Sequence, residues 1–148
     1  MNYRIAAIGL AIALPFVWTA PAFARTEVAI DSAVFLERNA PDRGRSLEPA
    51  RQFRPGDRIV YLVRWERPAS AGGFTVVNPL PPAVAYQGSA HSGEEVSADG
   101  GRSWGKLGSL RIRDRLVTPD EVTHVRWRIA PQQAARGSGR IAYSAVVR

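Results

Sequence analysis

Three segments of this chain alternate apolar and polar residues with a period of two. In "RIVYLVRWE", residues 58–66, Ile59, Tyr61, Val63 and Trp65 share one face, while Val60, Leu62, Arg64 and Glu66 share the other. Successive side chains of a strand point to opposite sides, so the first set predicts a core face. Val60 and Leu62 make the second face partly apolar, which predicts a central strand. In "VTHVRWRIA", Val125, Trp127 and Ile129 alternate with His124, Arg126 and Arg128, apolar inside and basic outside. "RIAYSAVVR", introduced by "GSG", repeats the pattern through Ile141, Tyr143, Ala145 and Val147. No anchor, sorting signal or second domain is expected after it.

Weaker signals fill the intervals. "TEVAIDSAVFLER" is β-branched and apolar without helical spacing, which predicts an opening strand. Residues 38–56 are polar and rich in Pro and Arg, so they predict a loop or a short edge strand around Ala50 to Phe53. Phe74 to Val77 is a short strand ended by Asn78-Pro79, and Pro79, Pro81 and Pro82 enforce an extended turn. "VAYQGSA" supplies another strand. "EEVSADGGRSWGKL" predicts a hairpin with Val96 on one arm, Trp104 on the other, and Asp99-Gly100-Gly101 at a tip that tolerates positive φ. Thr118-Pro119-Asp120-Glu121 predicts a single helical turn, with Thr118 as cap, Pro119 at the first position and Glu121 closing a capping box. About seven to nine short strands separated by turns predict an all-β, immunoglobulin-like antiparallel β-sandwich, with a small β-barrel as the alternative. No internal repeat is visible, and one module of this size cannot make a propeller.

The first residues change the domain picture. "MNYRIAAIGLAIALPFVWTAPAFA" has a basic start at Arg4, an apolar run from Ile5 to about Trp18, and Ala22 and Ala24 flanking Phe23. That is the layout of a secretory signal, residues 1–24, with cleavage after Ala24. A membrane span is the weaker reading, because the run falls short of roughly 20 apolar residues and Pro15 interrupts it. The remaining domain, residues 25–148, has 124 of the 148 residues, a length that buries a real core. Loss of Arg4 lowers the formal charge from +7 to +6. The expected location is therefore periplasmic or secreted, with no stable membrane anchor after signal cleavage.

Cysteine is absent from the sequence. That excludes a lipidated-cysteine anchor, disulfides, thiol catalysis, zinc–thiolate sites and iron–sulfur clusters, so stability has to come from packing. The basic residues are arginines except for Lys106, and they are spread along the chain rather than gathered in a run. This spread fits the codon bias of a GC-rich genome and does not predict a nucleic-acid partner. Contact with an anionic polymer is the functional alternative.

With the strands placed, the order of motifs becomes informative. "PGDRIVYLVRW", "FTVVNPLPPAVAYQGSA", "VSADGGRSWG", "VTHVRW" and "GSGRIAYSAVVR" together resemble the bacterial conserved-repeat domain of unknown function. The resemblance runs from about Val28 to Arg148, in a single copy behind the signal. It implies an immunoglobulin-like sandwich of envelope and surface proteins, treated as structural or adhesive, and it carries no catalytic residues. Two loops depart from the pattern. "ERPASAGGFTV" is short, and the usual A-P-G reads "PQQAARGSG" near Gln132.

Candidate chemistry is thin. "SADGGRSW", Ser97 to Trp104, fits S-x-D-x-G-x-S/T-W, the Asp-box of sialidases and other β-propeller proteins. A sialidase also needs an arginine cluster, a tyrosine nucleophile and acidic partners drawn from several blades. The reading here is a structural hairpin of Asp99, Gly100, Gly101, Ser103 and Trp104, in which the Asp99 carboxylate accepts backbone N–H groups of the turn. Ser89 or Ser92, His91 and Glu94 lack the spacing of a triad. Glu94, Glu95 and Asp99 match no calcium loop. Arg111 and Arg113 on "LRIRD", with Arg126 and Arg128, form a candidate anion-binding face. The expectation is an exported, non-enzymatic envelope structural or interaction module needing no metal or cofactor, whose partner is an unidentified envelope protein or polymer. The alternative is a module that binds lipopolysaccharide or an acidic glycan through that basic face. A small glycan hydrolase is the remotest reading.

Overall fold

The opening segment forms one long strand, Ala29–Ala40 (β1), which turns back into Gly44–Pro49 (β2). The described residues of this computed structural model are 28–42, 44–67 and 72–148; the expected signal segment, residues 1–24, lies outside them. The edge strand expected near Ala50–Phe53 thus lies earlier. Gly44 takes a φ of 69°, a left-handed geometry open to glycine, and the chain reverses there while β1 is still long enough to pair with it. Phe53 packs against the core from the following segment.

The remaining strands are Arg58–Glu66 (β3), Phe74–Pro79 (β4), Val84–Ser89 (β5), Glu94–Ser97 (β6), Arg111–Ile112 (β7), Arg115–Leu116 (β8), His124–Ile129 (β9) and Ser138–Val147 (β10). All pairings are antiparallel. One sheet runs β2-β1-β3-β10-β5, a second runs β4-β9-β6, and β7 and β8 form a separate two-stranded ribbon. The sheets do not close into a barrel, and the fold is the expected all-β sandwich. The ten strands exceed the expected number because β7 and β8 are arms of only two residues. A four-residue helix, Pro131–Ala134, stands where the sequence suggested only a loop.

Alternation decides which residues meet between the sheets. β3 lies between β1 and β10, and it buries Ile59, Tyr61, Val63 and Trp65. β10 adds Ile141, Tyr143 and Ala145, and β9 of the facing sheet adds Val125, Trp127 and Ile129. The rings of Tyr61 and Tyr143 stack at 4.7 Å, and Trp127 reaches Tyr143 from the opposite sheet at 5.4 Å. Burying each such side chain contributes roughly 1.5–3 kcal/mol, so this aromatic cluster is the main clamp between the sheets. Two of its polar atoms find partners within the fold: Asn78 Nδ2 donates to the Tyr143 hydroxyl, and Trp127 Nε1 donates to Ser89 Oγ at 3.2 Å.

Candidate functional site

The hairpin at Asp99 consumes its own polar groups. Asp99 Oδ1 accepts the N–H of Ser103 at 2.8 Å, the N–H of Arg102 at 3.0 Å and the hydroxyl of Ser97 at 2.8 Å. Gly100 and Gly101 have φ of 77° and 88°, which lets the chain fold tightly around the carboxylate. Ser97 Oγ accepts the N–H of Gly101 at 2.9 Å, and Trp104 Nε1 donates to the Gly101 carbonyl at 2.8 Å. The expected arms are present in reduced form, because Val96 and Gly105 exchange both backbone hydrogen bonds in one isolated bridge. The N–H of Ser103, its hydroxyl, the Ser97 hydroxyl and the N–H of Arg102 hold the Asp99 carboxyl well below the usual carboxylate range. An ionised carboxylate is required by the turn itself.

The four arginines of the candidate anion face are not brought onto one sheet. Arg111 opens β7, while Arg113 and Asp114 form the turn of the ribbon with φ of 50° and 60°. That turn breaks the alternation which would have put Arg111 and Arg113 on a common side. Arg126 and Arg128 do share the outer face of β9, beside the Glu95 carboxylate of β6. Arg126 Nε lies 2.9 Å from Glu95 Oε2, and an Arg128 nitrogen lies 3.2 Å from the same oxygen. The Arg126 guanidinium also stacks on the Trp104 ring at 4.4 Å, and the His124 ring meets Trp104 edge-on at 6.4 Å. Strand alternation on β9 could not show this aromatic, because the indole comes from the hairpin rather than from β9 itself.

Other chemistry-bearing residues are engaged in the fold. Ser89 Oγ donates to the Ala142 carbonyl and accepts the backbone N–H of His91, so it meets no imidazole. His124 Nδ1 pairs with Thr123 Oγ1 at 3.0 Å. Burial pushes up the hydroxyl pKa of Tyr86 and Tyr143, with Glu94 adding to the effect at Tyr86. Glu121 accepts the Thr118 N–H at 2.9 Å, as its capping-box position predicts, and also takes both guanidinium nitrogens of Arg115. Among the described residues, no group of three or more His, Asp or Glu side chains is arranged to hold a metal ion.

The sequence reading also passed over the arginines at one end of the larger sheet. Arg64 on β3 and Arg140 on β10 face each other directly in register, and neither makes an ion pair among the described residues. Both are exposed, and the signal for them lay in two clear strand alternations, where each occupies an outward position. Beside Arg140 the chain narrows at Gly139, which packs under the Trp65 indole so closely that a Cβ would lie 2.3 Å from it. Clefts of about 260 Å³ open on either side of this contact, one against Arg64 and Glu66, the other against His91, Gln133 and Arg136.

Comparison with protein-family models, with curated proteins and with solved structures found no match to this chain.

Proposed function

We propose that this chain is an exported, non-enzymatic β-sandwich module with a structural or interaction role in the cell envelope, of the conserved-repeat kind its motifs resemble. The observation that carries the reading is the outer face of the five-stranded sheet. An antiparallel sheet with one solvated face normally alternates apolar and polar residues, but here Val60, Leu62 and Phe35 lie side by side on the outer face. Leu47 extends the patch onto β2 and is 52% exposed. All six residues of β2 are exposed, and its outer edge pairs with no described strand. An apolar face bordered by a free strand edge suits contact with another protein.

A photo-crosslinking residue at Leu47 tests this in intact cells. The expected result is a discrete adduct that disappears when Val60→Glu is added, with the thermal midpoint retained. Absence of the adduct, or its indifference to Val60→Glu in a folded protein, overturns the reading. The anionic-polymer alternative through Arg126 and Arg128 draws less support, because Glu95 ion-pairs with both and offsets one of their two charges. A hydrolase reading draws none from Asp99, whose turn bonds favour a structural role. Asp99→Ala should lower Tm by several degrees in a differential scanning experiment, since three donors lose their acceptor. An unchanged Tm would remove the structural role of the motif.

A further inference from the structure

The cleft between the end of β10 and the helix Pro131–Ala134 is a separate site. Its walls bring together Trp65, His91, Gln133, Arg136, Ser138 and Arg140. These side chains are rich in donors, and no carboxylate lines the cleft among the described residues. Arg136 and Arg140 are exposed and make no ion pair among the described residues, so their guanidinium charge is uncompensated locally. Arg64, directly opposite Arg140, adds a third positive charge where a carboxylate would have relieved the pair. The nearest acids on that face are Asp31, opposite Arg64 on β1, and Glu66, which lines the adjoining cleft; neither pairs with Arg64 or Arg140.

A second observation comes from inside the fold. Trp65 is only 4% exposed, but its indole N–H makes no hydrogen bond with a described residue and keeps contact with solvent at the cleft. An indole N–H so placed is a donor open to an acceptor that enters from the cleft. Trp65 lines the cleft beside Gly139, where Nε1 lies 2.6 Å from the position a Cβ would occupy. The missing side chain of Gly139 therefore keeps the indole edge open to the cleft. Gln133 offers its amide nitrogen as a further donor, because its oxygen is already taken by the N–H of Ala130 at 3.2 Å.

We propose that this cleft is an oxyanion-binding site that takes a phosphate monoester. The donors come from β3, β10, the helix and the His91 loop, and so they approach from several directions. A planar carboxylate offers two oxygens in one plane, whereas a phosphate monoester offers three oxygens around a tetrahedron and up to two charges. The volume of about 260 Å³ admits a phosphate group and part of one sugar ring, leaving the rest of a larger molecule outside. This site lies apart from the apolar outer patch around Val60 and Leu47, so either assignment can fail without the other.

The test is a titration of the full-length ¹⁵N-labelled chain, following the indole N–H resonances, with inorganic phosphate, glucose 6-phosphate and acetate, each against sodium chloride at matched ionic strength. The Trp65 resonance should move saturably with both phosphates while the Trp104 resonance stays in place. Glucose 6-phosphate should bind about tenfold more tightly than inorganic phosphate, and Arg140→Gln or Arg136→Gln should weaken binding by about tenfold. Equal affinity for the two phosphates overturns the monoester assignment. Acetate binding as tightly as phosphate overturns the tetrahedral one. A Trp65 resonance that does not move, moves equally with chloride, or responds identically in both folded variants overturns the site itself.

Discussion

Two pairs of arginines sit on the solvent faces of central strands in this molecule, and their surroundings are opposite. Arg126 and Arg128, two apart on β9, share the carboxylate of Glu95, and Arg126 is further covered by the Trp104 ring. Arg64 and Arg140 face each other across β3 and β10 with no acid between them. The first pair is built into the sheet: one carboxylate offsets half of its charge, and the Arg126 side chain is held between Glu95 and Trp104. The second stores like-charge repulsion at an open cleft, and an arriving anion relieves it. Arginine content alone does not separate the two cases. The ion pair does: Glu95 reaches both arginines of β9, whereas Asp31, across from Arg64 on β1, makes no ion pair with it among the described residues, and Arg140 opposes it from the other side.

The largest expected effect breaks the cleft side of this comparison. Gly139→Ala places a methyl group 2.3–2.6 Å from atoms of the Trp65 indole, inside a packed strand pair. Overpacking of this kind costs about 1–3 kcal/mol, read as a lower urea midpoint with the slope unchanged. Glu95→Ala should come next, at about 1 kcal/mol, because one carboxylate serves two guanidinium groups in a partly buried setting. It should also leave the β9 pair without its carboxylate and produce new salt-sensitive retention of the protein on an immobilised-phosphate resin. Retention unchanged from the parent chain would mean that pairing is not what separates the two regions.

A smaller effect of opposite sign is expected at the unpaired site. Arg140→Gln removes a like charge and should raise stability by a few tenths of a kcal/mol at low ionic strength, with the gain fading in high salt. A loss of stability there would show that Arg140 is held by the fold after all. The pH profile gives the subtlest reading, through the paired guanidinium of Arg115. Hydrogen bonds from Arg115, then from the N–H and hydroxyl of Thr118, pull the Glu121 carboxyl down to about 2 from an ordinary 4.5. A carboxyl with a depressed folded pKa contributes stability that is full above its unfolded value and lost as pH falls through the folded one. Tm should therefore decline between pH 4.5 and 2, and Glu121→Gln should flatten that part of the curve. Asp99 stays ionised still lower, so its hairpin should be the last of these contacts to release in acid.

The core was legible because alternation is a local signal. Ile59, Tyr61, Val63, Trp65, Val125, Trp127, Ile129, Ile141, Tyr143 and Ala145 are all buried on the expected faces. The Asp-box hairpin and the turn at Thr118 were legible for a similar reason, since each depends on side chains within a few residues of one another. What escaped depends on partners distant in sequence. Glu95 pairs with Arg126 and Arg128 only because β6 lies beside β9, and Arg64 opposes Arg140 only because β10 lies beside β3. The ribbon at Arg111–Leu116 escaped for another reason. Arg113 and Asp114 both adopt positive φ without glycine, so composition gave no warning of the turn.

The placement of β10 has a consequence for how the molecule comes into being. It is the last strand along the sequence among those described, yet it sits between β3 and β5, with nine register pairs to one and five to the other. Until it is made, β3 and β5 each present an open edge and the aromatic clamp lacks Tyr143. The larger sheet is therefore divided throughout synthesis and closes in one late step, joining its two parts over a long sequence separation. Such non-local closure is slow relative to local folding. Until β10 is in place, the two parts of the larger sheet hold together only through local pairings, with no shared aromatic clamp.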